Sequence, residues 1–339
     1  MKRKYMIIVL MAGALELTGC SQGTSNSAKN GTTGSENTII SESDIAILDT
    51  EDMFTERDRD TEYDESECTA ISLSDEETKC DSDGVKMDGQ TVTITEGGTY
   101  LLTGSLSNGS VVVDTDKTEK VQLILENVSI INEEGAGICV EQADKVFITL
   151  ADGSTNKIVS NSFTGNEDTN IDGAIFSRED LTLNGSGTLK ITSAAHGIVS
   201  KDDLVLTGGV YQIQSEKQGL SGKESVRIAD GTFTITSGTD AIHSEDTDED
   251  TKGFVYITGG VLTLAAGGDG ISSSYVVQAD GGSFDISTSS TETDTSTKGI
   301  KAQKYVILKD GTYQLATADD GIHCNGNVYV CGGTYSINS

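Results

Sequence analysis

A small residue followed by isoleucine or leucine returns along this chain, and that pair constrains the fold more than any other feature. The instances are Gly137-Ile138, Ala174-Ile175, Gly197-Ile198, Gly219-Leu220, Ala241-Ile242, Gly270-Ile271, Gly299-Ile300 and Gly321-Ile322. Their spacings are 37, 23, 22, 22, 29, 29 and 22 residues. A base period near 22 with strand-like content predicts a solenoid, in which each coil packs only on its neighbours.

Two more strands are legible in each repeat. One alternates apolar residues before a Gly-Gly, Asp-Gly or Ser-Gly turn: Leu204/Leu206, Val226/Ile228, Val255/Ile257, Val306/Leu308 and Val328/Val330. The next carries an aromatic or Leu column (Leu189, Tyr211, Phe233, Leu262, Phe284, Tyr313, Tyr335) and an aliphatic column two residues on (Ile191, Ile213, Ile235, Leu264, Ile286, Leu315, Ile337). Period-2 alternation places these columns inside and their polar neighbours outside. Three strands per coil predict an all-β, right-handed parallel β-helix, right-handed crossovers being the rule. A leucine-rich repeat overlaps in period, but its Asn ladder and helical side are not seen. Glycine numbers 39 and proline 0; proline cannot donate to a ladder and suits central strands badly.

The N-terminus has its own logic. Lys2-Arg3-Lys4 precedes an apolar run, Tyr5 to Leu15, that is too short to anchor as a membrane span. Leu17-Thr18-Gly19-Cys20 follows. It resembles the lipobox of bacterial lipoproteins, which implies a signal peptide over 1–19, lipidation of Cys20 and an exported chain lipid-anchored to the outer face of the cell membrane. Residues 20–84 are Ser/Thr/Gly-rich and then acidic, without useful apolar periodicity, and are expected to form a disordered tether. The β-helix is expected over 85–339. The last strand has no visible cap, so an open or truncated C-terminal end is expected.

Formal charge is −31. Residues 1–19 carry a net +2, so the processed chain stands near −33. Such a field repels nucleic acid and anionic lipid, leaving the lipid anchor as the only membrane contact, and attracts divalent cations. Cys68 and Cys80 flank an acidic segment and could close a loop disulfide; Cys139, Cys324 and Cys331 read as buried apolar residues.

Two stretches resemble a known family. One runs from Gly98-Thr99-Tyr100-Leu101-Leu102-Thr103-Gly104 through Val121–Leu125 to Ala136-Gly137-Ile138. The other is Asp172-Gly173-Ala174-Ile175-Phe176-Ser177 with Leu181–Leu189, and Asp-Gly-Ile-His turns follow later. Together they resemble the bacterial carbohydrate-binding domain-containing proteins. That resemblance covers roughly residues 85–339. It implies a pectate-lyase-like β-helix, binding of cell-wall polysaccharides such as cellulose or pectin, and bound calcium.

The residue before each anchor is, coil by coil, His196, Gln218, Asp240, Asp269, Lys298 and Asp320. Coils stack at about 4.8 Å. Asp240 and Asp269 would then repel by about 3 kcal/mol at an effective dielectric of ~20. A calcium ion held by Asp240, Asp269, Asp319 and Asp320 is one expected relief. Asp168-x-Asn170-x-Asp172-Gly173, with Glu179 at the twelfth position, has the ligand spacing of an EF-hand loop. Its flanks are strands, which excludes an EF-hand but leaves a calcium turn at Asp168, Asn170 and Asp172. The histidines at the anchor turns read as exposed turn residues.

Sugar rings stack on exposed aromatic faces. Outward positions between the apolar pairs are Arg227, Tyr256, Gln278, Ile307 and Tyr329, so Tyr256, Tyr329 and Arg227 are the expected polysaccharide contacts. Thr232, Thr234, Thr263, Thr312 and Gln314 make a polar ledge elsewhere. Two other functions fit the pattern: an adhesin or stiff surface spacer contacting partners through 244–252 and 288–297, and a calcium-dependent lyase drawing its base from Lys298 or Lys301.

Overall fold

A computed structural model describes residues 47–164, 170–289 and 297–339. The chain is all-β and its strands form long parallel ladders. Each strand hydrogen-bonds to its counterpart one circuit away, the arrangement of a β-solenoid. Three faces result.

On the anchor face, Ile138, Ile175, Ile198, Leu220, Ile242, Ile271, Ile300 and Ile322 are successive register partners. On the middle face the inward row runs Leu204, Val226, Val255, Val277, Val306, Val328. On the aromatic face it runs Leu189, Tyr211, Phe233, Leu262, Phe284, Tyr313, Tyr335. One continuous apolar core fills the space between them.

Parallel pairing puts like side chains on like, so aromatic rings stack flat. Tyr211 and Phe233 lie 4.9 Å apart at 6°, Phe284 and Tyr313 4.6 Å at 3°, and Tyr313 and Tyr335 4.7 Å at 2°. Each buried tyrosine needs an acceptor for its hydroxyl. Tyr211 donates to the Gly208 carbonyl (2.8 Å) and Tyr313 to the Asp310 carbonyl (2.8 Å). The turn before each ring makes this possible: Gly209, after Gly208, and Gly311, after Asp310, sit at φ +99° and +124°, where a side chain is strained.

The small residue of the anchor has a steric cause. A Cβ on Gly219 would stand 2.4 Å from Ile235 Cγ2 and 2.7 Å from the Ala241 carbonyl oxygen. The turn draws the backbone in toward the aliphatic column, and only Gly or Ala is found there.

The N-terminal part departs from expectation. The strand Thr69–Leu73 pairs in parallel with Tyr100–Gly104 and buries Ile71 and Leu73. An antiparallel hairpin, Val85–Asp88 with Thr91–Ile94, begins the anchor face. Residues 47–84 therefore lie on the solenoid, where a disordered tether was expected. Residues 20–46, Cys20 included, lie outside the described residues. Cys68 and Cys80 are free thiols, so the loop disulfide is not formed. Cys139 and Cys324 are buried as expected, whereas Cys331 is half-buried. No described helix is long and apolar enough to cross a membrane.

Residues 47–60 form a strap along the outward side of the middle face. Ile47, Leu48, Met53 and Phe54 pack with Tyr256, Val276, Tyr305, Ile307 and Tyr329. A one-turn helix, Glu56–Arg59, is closed by a capping box between Thr55 and Asp58. Arg57 Nη2 donates to Gln122 Oε1 (2.8 Å), and its guanidinium lies 4.7 Å from the Phe147 ring centroid. Asp58 is 2% exposed. Its carboxylate pairs with Lys145 (2.8 Å) and accepts from Thr182 Oγ1 (2.6 Å). Its carbonyl accepts from Asn184 Nδ2 (3.1 Å) and Thr207 Oγ1 (2.7 Å). Burial disfavours the charge on Asp58, but Lys145 and the hydroxyls outweigh it and hold the acid below its ordinary range.

Candidate functional site

From Ser221 onward the outward side of the anchor face is polar, whereas Cys139, Phe176 and Val199, earlier in the same row, are buried and apolar. Its row runs Val199, Ser221, His243, Ser272, Lys301, His323. Beside it stand the turn residues His196, Gln218, Asp240, Asp269, Lys298 and Asp320. A cleft of ≈ 300 Å³ opens on this side. Asp172, His196, Lys201, Gln218, Lys223 and His243 are among its lining residues. Glu245 lines it too, and the two lysines are paired, Lys201 with Asp172 (3.6 Å) and Lys223 with Asp248 (2.7 Å), so the cleft presents charges of both signs.

His196 sits between Asp172 (Nε2 to Oδ2, 3.5 Å) and the amide of Gln218, which donates to its Nδ1 (3.3 Å). Burial pushes its pKa down to about 4, with Lys217 and Lys201 assisting and Asp172 opposing. The imidazole is therefore neutral above that range. Asp172 Oδ1 has no hydrogen-bond partner and stands 3.6 Å from Lys201 Nζ.

The expected stack of Asp240 and Asp269 is present, and the chain itself relieves it. Asp240 Oδ1 accepts the Asp269 amide (2.7 Å), and Asp269 Oδ1 accepts the Lys298 amide (2.8 Å). Each carboxylate thus caps the backbone of the following coil. The other oxygens meet cations or imidazoles: Asp240 Oδ2 contacts His243 Nδ1 (2.8 Å), and Asp269 Oδ2 pairs with Lys301 (2.6 Å). Asp319 pairs with Lys298 (2.6 Å), and Asp320 contacts His323 (3.0 Å). Both lysines that a lyase would draw on are thus in ion pairs. The histidines, expected as exposed turn residues, are half-buried, with His196 against Asp172, His243 against Asp240 and His323 against Asp320. Asn170 adopts φ +54° and is exposed; Asp168 lies outside the described residues, as does most of 288–297.

The expected aromatic contacts lie on the other side, beneath the strap. Tyr256 is 4% exposed, with Phe54 stacked at 5.8 Å and its hydroxyl on Asp280 (3.0 Å). It is covered, against expectation, because the covering residues come from a segment just over 200 positions away in sequence. Burial and Asp280 push the phenol up to about 12. Tyr329 is half-buried beside Tyr305 (6.3 Å). Arg227 is not a free ligand group: it pairs with Asp203, contacts the Met53 carbonyl (3.4 Å) and lies over Phe254.

One cluster escaped the sequence reading. At the corner between the anchor and middle faces, carboxylate oxygens of Asp202, Asp203 and Glu224 lie within 4.8 Å of one another. Among the described residues they form the one acidic group with spacing for a metal ion. Asp180 adjoins them as the register partner of Asp203 through the Leu181–Leu204 pairing. The signal was available, since Asp180, Asp203 and Glu224 recur at nearly the coil spacing. Burial, then Asp180, Glu224 and Asp203, push the Asp202 pKa up to about 7. An unfolded aspartate titrates near 3.9, at about its free value. The folded chain therefore binds more protons between these limits, and this group's contribution to stability falls as pH rises from about 4 to 7. In chelator, Asp202→Asn should melt a few degrees above the parent at pH 8 and lose that advantage at pH 4. Equal melting curves at pH 8 would show that the carboxyls are well separated in solution.

Stacked parallel strands with a polar cleft along one open side define a rigid surface suited to an extended, hydroxyl-rich polymer. The family profile of the carbohydrate-binding domain-containing proteins matches residues 88–339, and the chain belongs to that family. A carbohydrate-binding domain-containing protein of Acetivibrio thermocellus is 34% identical over 137 residues, 39% of this chain and 48% of the relative. The match thus spans about half the length of that curated relative. Among solved structures, a polysaccharide lyase-like protein from C. thermocellum, determined as a gadolinium derivative, superposes with a TM-score of 0.64 at 28% identity. The match covers 79% of this chain and 100% of that one.

Proposed function

We propose that this protein is a polysaccharide-binding lipoprotein of the cell surface, held by a lipid on Cys20, and that glycan lies in the anchor-face cleft. The observation that carries this is the cleft itself, open on the surface and lined by side chains that donate and accept hydrogen bonds. Membership in a carbohydrate-binding family supports it. Plant cell-wall glycans are the proposed ligands, and Lys201 and Lys223 would favour a chain bearing carboxylates, as pectin does. The solenoid is proposed to wind right-handedly with a base coil of about 22 residues, as parallel crossovers do.

Lys201→Ala with Lys223→Ala should weaken binding to polygalacturonate about tenfold or more, by loss of two charge-assisted contacts, with little change in melting temperature. Both side chains are more than a third exposed, so a stability role is small. Unchanged binding would remove the cleft as the ligand site.

Calcium remains part of the proposal. The donors that suit a hard, oxygen-seeking ion best are Asp202, Asp203 and Glu224, because their oxygens already converge. Asp240, Asp269, Asp319 and Asp320 are engaged by lysines, histidines or amides; Asp203 is likewise paired with Arg227 and Glu224 with Lys252, so the convergence of the oxygens alone favours the Asp202 group.

A further inference from the structure

The strap covers a row with the features of a glycan platform. Tyr256, Tyr305 and Tyr329 face outward, and the last two are stacked at 6.3 Å. Polar groups rim the row. Asp280 accepts from Tyr256 (3.0 Å) and from Gln278 Nε2 (2.8 Å), and pairs with Lys309 (3.3 Å). Over Tyr256 lies the Phe54 ring, at 5.8 Å and 25°, the place a pyranose ring would take. The strap's grip is uneven. Around Arg57–Asp60 it is held by a buried ion pair and several hydrogen bonds to Gln122, Thr182, Asn184 and Thr207. Over the tyrosines the described hold is a side-chain hydrogen bond between Thr50 and Tyr256, one Arg227–Met53 carbonyl contact at 3.4 Å and apolar packing, with no ion pair.

The geometry points to a second carbohydrate-binding face, the tyrosine row, with residues 47–55 as its lid and residues 56–60 as the lid's hinge clamp. The ligand class is a neutral β-linked pyranose chain, whose apolar ring faces replace Phe54 and Met53 while its hydroxyls reach Asp280 and Gln278. This rests on the carbohydrate-binding reading but uses a different face from the cleft.

Phe54→Ala with Met53→Ser in the full chain loosens the lid without touching the Asp58 clamp. The variant should bind cellohexaose roughly tenfold more tightly, the gain expected when a competent state populated at about one part in ten becomes dominant. Adding Tyr256→Ala and Tyr329→Ala should abolish the gain. A gain that survives the tyrosine changes, or that disappears with Lys201→Ala and Lys223→Ala, would overturn the lid and assign the ligand to the cleft. No gain at all would also overturn it. The unaltered chain gives an independent readout. Because ligand and lid compete for one face, saturating cellohexaose should speed amide exchange at residues 50–55, and an unchanged rate counts against the proposal. If the polygalacturonate result fails while the lid result holds, the cleft reading is lost and the tyrosine face stands.

Discussion

Phe233→Ala is expected to lower the stability of the solenoid by about 3–5 kcal/mol, the usual cost of emptying a buried aromatic site. Phe233 is fully buried and its ring lies flat on Tyr211. Its register partner on the other side is Leu262. Removal therefore opens a gap between two coils, and the strands on either side cannot close it. Their spacing is fixed by the ladder hydrogen bonds. Phe233→Leu, which places leucine where Leu189 and Leu262 already stand, should cost much less. Urea unfolding of the two variants checks the pair; equal losses would show that ring stacking, and not filled volume, holds the column.

Asp58→Ala is expected to free the strap. Lys145, 16% exposed at its side chain, loses its partner, and breaking a buried ion pair from one side costs about 3–5 kcal/mol. Lys145 also interacts with Asp180, which absorbs part of that cost. Thr182 loses the carboxylate to which it donates, whereas Asn184 and Thr207 donate to main-chain carbonyls of Asp58 and Asp60 and lose them only as the strap lifts. Amide exchange across residues 53–60 should lose its protection, while exchange in the inward rows stays slow. Asp58→Asn keeps an acceptor for Thr182 and should show a smaller effect. Protection that survives Asp58→Ala would mean that the apolar contacts of Met53 and Phe54 suffice.

The solenoid was legible because its grammar is local and repeated. A wrong register by one residue would turn Ile213 and Ile235 outward, so the columns specify their own pairing, and the strands align as the columns predicted. The small anchor residue was visible as a pattern, but its cause was not. That cause is the approach of Ile235 to Gly219 from another strand. The strap was illegible for the opposite reason. Met53, Phe54, Arg57 and Asp58 carry no periodicity, and their acidic surroundings have the composition of a tether. Their order comes from partners between roughly 65 and 280 residues away in sequence. The aspartate stack was predicted in position and not in chemistry. Stacking brought Asp240 and Asp269 together, while the Lys301 that neutralises one of them arrives from the following coil.

The strap also fixes where the leader segment departs. Ile47 and Leu48 pack on the cluster of Phe254, Tyr256, Val276 and Ile307, in the later coils, whereas Arg57 reaches Gln122 in an early one. A chain tied to a membrane at Cys20 would hang by its late coils, and the early coils would face away from the bilayer. The 26 residues between Cys20 and Ile47 would reach at most about 95 Å if fully drawn out. Lifting residues 47–55 adds slack of about 30 Å at most. Engagement of the tyrosine row would therefore change how far from its anchorage the protein can fish.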